Sequence, residues 1–212
     1  MQSTNLLFAK LRGFRADPDR LREHFLRTVQ PIEATQYRDN RVDYVGWAVT
    51  SRDGSMVDGV RRISLRQGSG DNKRGTMPTK ICSGYLAEVM AELQSLKFQP
   101  YRARIMQLES EGEQMPLHTD ARNEAWRLHV PIVTNPNCFF EWERADGEII
   151  SVHLPADGSA WMVRVDVPHR AVNRSREAAE RMHLLMGMGK PPGDHLLDQP
   201  WRPLVDDPAG TA

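Results

Sequence analysis

Two cysteines in 212 residues, Cys82 and Cys138, are too few and too far apart for a disulfide framework or a paired-cysteine metal site. Net charge is missing too: 28 basic residues balance 28 acidic ones, so no global field favours nucleic acid or an anionic membrane as partner. Nor is there a long apolar run. The N-terminal "NLLFAK" carries four apolar residues without a basic lead, short of a signal-peptide core, and nothing later reaches the length of a membrane span. The expectation is a cytoplasmic protein with no internal repeat and a small-molecule partner.

What remains is enough for a packed domain: 40% apolar and 26% charged residues. "DPDRLREHFLRTVQ" predicts a helix, with Asp17 as cap, Pro18 at the first helical position, and Leu21, Phe25 and Leu26 as the apolar stripe. "SGYLAEVMAELQSL" predicts a second, with Tyr85, Val89 and Leu93 on one face and Leu86 and Met90 beside them. "VDYVGWAVTSRDG" alternates as a strand closing on an Asp53-Gly54 turn. After the second helix come short strand-like runs: "YRARIMQLES", "AWRLHVPIVT", "CFFEWER", "EIISVHL", "AWMVRVD" and "RMHLLMGM". Helices followed by short strands predict a mainly β fold with flanking helices, a sandwich or barrel. Residues 1–190 read as one domain, helical or mixed to about 100 and β from about 101. Residues 191–212 hold five of the fourteen prolines and read as an irregular arm. Residues 55–80 read as a loop, locally basic through Arg61, Arg62, Arg66, Lys73 and Arg74, and a candidate lid.

Chemistry concentrates in "MPLHTDARNEAWRLHVPIVT". Residues i and i+2 of a strand share a face, so His118 and Asp120 can aim an imidazole and a carboxylate at one point. A histidine-x-aspartate pair is common by chance, and an iron site of the two-histidine, one-carboxylate kind needs a further histidine. Among the others, His153 and His183 read as packed strand residues. His169 differs, because "WMVRVDVP" ends a strand at Pro168 and leaves His169 on a turn at the sheet rim.

Four segments, "RARIMQLESEGEQMPLHTD", "WRLHVPIVTNP", "LPADGSAWMVRVDVPHRAVN" and "ERMHLLMGM", together resemble the aspartyl/asparaginyl β-hydroxylase family, over about residues 44–188. The resemblance implies a double-stranded β-helix and an Fe(II)- and 2-oxoglutarate-dependent oxygenase using O2, similar to the bacterial hydroxylases of free amino acids such as proline. It implies His118, Asp120 and His169 as iron ligands. Arg181 matches the residue that takes the distal carboxylate of 2-oxoglutarate, a pairing suited to a planar guanidinium. Arg127 and His129 match a pair near the substrate and the cosubstrate's proximal carboxylate: Arg127 is the candidate substrate contact and His129 the cosubstrate contact. Asn173 matches a position that fixes the turn after the second histidine. Two alternatives stay open beside this reading: a non-catalytic double-stranded β-helix that binds a small ligand or partner protein, and a cupin-type metal-dependent hydrolase or isomerase using the same ligands.

Overall fold

Strand register decides which side chains of this chain meet a ligand and which meet a helix. A computed structural model describes residues 6–38, 41–60, 75–96, 100–108, 115–120, 125–175, 180–188 and 193–198. The strands are β1 (Phe8–Leu11), β2 (Thr35–Arg38), β3 (Arg41–Ala48), β4 (Thr50–Ser51), β5 (Met77–Pro78), β6 (Pro100–Leu108), β7 (Trp126–Val133), β8 (Cys138–Glu143), β9 (Ile149–Val152), β10 (Trp161–Arg164), β11 (His169–Asn173), β12 (Arg181–Met188) and β13 (Leu197–Asp198). The helices are α1 (Pro18–His24), α2 (Met56–Val60) and α3 (Gly84–Ser95).

Eight strands form one antiparallel sheet in the order β13-β1-β10-β7-β12-β6-β3-β2, and three form a second in the order β11-β8-β9. Residues 115–118 add to the β11 edge of the small sheet, through an isolated bridge between His118 and His169. From β6 onward the chain therefore passes from large sheet to small and back: β6, then 115–118, then β7, then β8 and β9, then β10, then β11, then β12. That winding is the double-stranded β-helix, a jelly roll with helices outside it.

Period two sorts each large-sheet strand into two faces. One face carries Ala103 and Ile105 of β6, Leu128, Val130 and Ile132 of β7, and Leu184 and Met186 of β12. It packs on Leu21 and Phe25 near the N-terminus and on Leu86, Val89, Met90 and Leu93 of α3, the stripe expected from sequence. Each such fully buried side chain contributes about 1.5–3 kcal/mol. The other face turns Arg104, Arg127, His129, Arg181 and His183 toward the small sheet, where His129 meets the Phe140 ring edge-on at 5.6 Å. Pro131 interrupts this sheet, since it has no N–H for the ladder. The β7–β12 register shifts at its partner, between Met182 and His183.

Asp17 caps α1 by accepting from the Asp19 and Arg20 amides at 3.0 and 3.1 Å. Beyond His24 the helix widens to a π-helical turn over Phe25–Val29. The extra residue per turn keeps Phe25 and Val29 inward and turns Leu26, expected in the stripe, out to 43% exposure. Gly54 closes the expected Asp53-Gly54 turn at φ 81°, a conformation open to glycine. Residues 55–80 are not all loop: Met56–Val60 is helical and Met77–Pro78 pairs with Thr50–Ser51. The five basic residues of the candidate lid lie outside the described residues, as does Trp201 of the C-terminal arm. Part of that arm is regular, with β13 pairing on β1. Among the described residues no helix is long and apolar enough to cross a membrane.

Candidate metal centre

His118 and His169 face each other across the edge of the small sheet. The His118 amide donates to the His169 carbonyl at 3.1 Å and the His169 amide returns the bond at 2.9 Å. The Met115 amide donates to the Ala171 carbonyl at 3.0 Å, one residue out of that register, and ties the same segment to β11. His169 is thus the first residue of a strand and the cross-strand partner of His118, a tighter placement than the rim turn expected from sequence. Two residues past His118, the Asp120 amide donates to the Val165 carbonyl at 2.8 Å, next to the end of β10. One ligand atom from each of His118, Asp120 and His169 lies within 4.8 Å of the others.

Both imidazoles are oriented the same way. Nδ1 of His118 is 2.9 Å from the Pro116 carbonyl, and Nδ1 of His169 is 2.8 Å from the Val167 carbonyl. A carbonyl only accepts, so each Nδ1 carries hydrogen and each neutral ring is left with its Nε2 lone pair. Burial, then the neighbouring His118, lowers the His169 pKa to about 4, which keeps that ring neutral at pH 7. Phe140 stacks on it with centroids 5.5 Å apart and planes 6° from parallel. Burial would raise the Asp120 pKa, but Arg127 and the two histidines outweigh it and hold the carboxyl below its usual range. Two imidazoles with Nδ1 engaged by carbonyls and one carboxylate on one side of a cleft fit a divalent iron that keeps further positions open.

Arg127 donates from one Nη to Asp120 Oδ2 at 2.9 Å, with its own side chain only 8% exposed. Arg181, the first residue of β12, is buried, and it lines the same cleft together with Tyr44, His129 and the His-Asp-His group. Its Nη donates to Nδ1 of His183 at 3.2 Å. Nδ1 of His183 also lies 3.2 Å from Nδ1 of His129. Since a guanidinium only donates, His183 Nδ1 is an acceptor, which assigns the hydrogen between the rings to His129. Burial, then the Arg181 charge, pushes both imidazoles well below the ordinary histidine value. Asn173 is fully buried, and its Oδ1 accepts from Asn135 and from the Ser175 amide, which fastens the end of β11.

Residues 73–191 match the model of the aspartyl/asparaginyl beta-hydroxylase family, more than half of the 212-residue chain. The chain belongs to this family. No curated protein matches this β-hydroxylase-family chain. Solved structures similar to it in outline include a Pseudomonas putida prolyl-4-hydroxylase (14% identity, TM-score 0.49, 88% of this chain and 94% of that one). A Burkholderia pseudomallei oxidoreductase of the 2OG-Fe(II) oxygenase family aligns at 13% identity and TM-score 0.47, over 80% of this chain and 77% of that one.

Six of the seven residues singled out from sequence line one cleft of this family member, His118, Asp120, His169, Arg127, His129 and Arg181, while Asn173 lies outside its lining. Two others escaped notice. His183, read as an ordinary packed strand histidine, joins Arg181 to His129. Its spacing of two from Arg181 placed it on the same face. Arg104 also lines the cleft, and its signal was a cation alternating with the apolar Ala103 and Ile105.

Proposed function

We propose that this family member is an Fe(II)- and 2-oxoglutarate-dependent dioxygenase that hydroxylates a C–H bond of an amino acid, free or within a peptide or peptidyl natural product. The observation that carries the reading is the convergence of His118, Asp120 and His169, with both Nδ1 atoms already engaged by backbone carbonyls. These three would hold iron. Together with 2-oxoglutarate and O2, the metal would supply the oxidising power for hydroxylation, with succinate and CO2 as coproducts.

The chain's own residues supply binding and orientation. Arg181, buried and held by His183, would receive the distal carboxylate of 2-oxoglutarate. His129, on the same wall, would stand by the proximal one. Arg127 keeps Asp120 anionic and aimed, and its position on the cleft wall also suits a substrate contact. Phe140, Val165, Ala171 and Leu185 give the cleft apolar walls, which limit water near the target C–H. The test is a panel of free amino acids and short peptides incubated with Fe(II), 2-oxoglutarate and O2. The reading expects succinate formation coupled to a mass gain of one oxygen on one panel member. Retained iron without succinate, whatever the substrate, would favour a non-oxidative or non-catalytic metal-binding protein.

A further inference from the structure

Among the described residues the buried Arg104 forms no ion pair, and the acid whose carboxyl feels its charge, Asp120, is paired with Arg127. Arg104 is 6% exposed and lines the cleft beside the His-Asp-His group. Its cross-strand neighbours are Ala48 on β3 and Leu185 on β12, neither of them an acid. Among the described residues it makes one hydrogen bond, a long 3.5 Å contact from Nη to the Arg102 carbonyl, and its Nε has none. The other buried guanidiniums nearby are engaged: Arg127 with Asp120, Arg181 with His183, and Arg102 with the carbonyls of Gly59 and Val60. A guanidinium removed from water and left unpaired opposes folding, and an anion that reaches it relieves that opposition.

The charges of the cleft point the same way. Three guanidiniums, Arg104, Arg127 and Arg181, face the single carboxylate of Asp120. On the function proposed above, a divalent iron and a dianionic cosubstrate cancel each other, so two positive charges are left even with every histidine neutral. Tyr44 adds a phenol to the same wall, with no hydrogen bond to its hydroxyl among the described residues. A planar fork and a phenol facing an anion-deficient cavity suit a carboxylate.

We propose that Arg104 is the receptor for a carboxylate in this cleft, that of the substrate, so that the substrate class is an amino acid or related acid with a free carboxylate near the hydroxylated carbon. This rests on the hydroxylase reading for the word substrate, but not for the anion site itself. Arg181 and His129 would serve the two ends of the cosubstrate and Arg127 is paired with Asp120, which would leave Arg104 to the molecule that is oxidised.

The experiment compares wild type with Arg104→Gln, Arg104→Met and Arg104→Lys. On metal-free protein, calorimetric titration measures affinity for 2-oxoglutarate and for the common free L-amino acids, each beside its carboxamide. On iron-loaded protein, the same panel is read by succinate formation. The expected result is binding of one or more amino acids but not their carboxamides, weakened roughly 10- to 100-fold by Arg104→Gln and partly restored by Arg104→Lys, with 2-oxoglutarate affinity unchanged. Arg104→Met melts no lower than wild type without ligand, as expected when an unpaired buried charge is removed. Loss of 2-oxoglutarate affinity instead would keep Arg104 as a carboxylate receptor and assign the carboxylate to the cosubstrate. Unchanged affinity for both, or a much lower melting temperature of Arg104→Met with both affinities kept, overturns the proposal. A wild type that retains no iron and forms no succinate defeats the hydroxylase reading alone, because the metal-free titrations still report on Arg104.

Discussion

An imidazole whose Nδ1 hydrogen is held by a carbonyl has one lone pair to offer, and His118 and His169 both have it free within a group whose ligand atoms, Asp120's included, lie within 4.8 Å of one another. Individual side chains, not the sheet as a whole, thus define this site. His183 acts at the same scale. Replacing it with leucine removes the acceptor from Arg181, so 2-oxoglutarate affinity is expected to fall about tenfold while iron stoichiometry holds, with Gln restoring part of the loss. Equal loss of iron and cosubstrate binding would instead indicate a collapsed site. Away from the cleft, fully buried Glu141 accepts from Arg170 at 2.7 Å, from Ser151 at 2.8 Å and from Arg174. Burial alone would raise its pKa, but these partners outweigh it and the net shift is downward. The sign follows: the carboxylate's contribution is complete above the ordinary glutamate value of 4.5 and is lost as pH falls through its lower folded value. Glu141→Gln should cost roughly 1–3 kcal/mol at pH 7 and flatten the decline of stability in that acid window, as read by urea midpoints at several pH values.

At the scale of elements, close strand packing sets tolerances that can be tested. A Cβ on Gly46 of β3 would sit 2.6 Å from the Ile105 carbonyl oxygen and would also overlap Met106 Sδ. Gly46→Ala should therefore destabilise by about 1–3 kcal/mol, seen as a lower denaturant midpoint at unchanged slope. The elements legible in the sequence were those with a clear period or cap: α1 through Asp17 and Pro18, α3 through its stripe, and β6, β7 and β12 through apolar alternation. β11 was missed because "HRAVN" is short and its pattern is broken by polar residues that have work in the site and the turn. The π-helical turn was invisible because its one-residue shift leaves propensity unchanged. Arg104 and His183 could not be assigned because their surroundings come from strands far apart in sequence, and only the winding of the two sheets brings them together. The triad was legible only jointly, since His118 and Asp120 needed His169 from β11, a neighbour in space but distant in sequence.

For the whole molecule, a site that exists only in the folded state couples metal binding to stability. At a free Fe(II) concentration 100 times its dissociation constant, folding gains about 2.7 kcal/mol, a rise of roughly 5–10 °C in melting temperature for a chain of this size. Asp120→Ala should abolish that rise, and the unbalanced Arg127 should also lower the metal-free melting temperature. The arrangement of the two sheets, with helices on one face of the larger and the cleft on the other, separates stability from chemistry, so most core substitutions on the helix side should leave iron binding intact. The central claim is that His118, Asp120 and His169 hold an iron that works with 2-oxoglutarate. Its most direct measurement is O2-dependent conversion of 2-oxoglutarate to succinate by protein reconstituted anaerobically with Fe(II), compared with His118→Ala, Asp120→Ala and His169→Ala. One iron per chain and succinate formation are expected in the wild type, with both lost in the variants. Succinate formation that survives in all three variants, or a wild type that binds no iron, would contradict it.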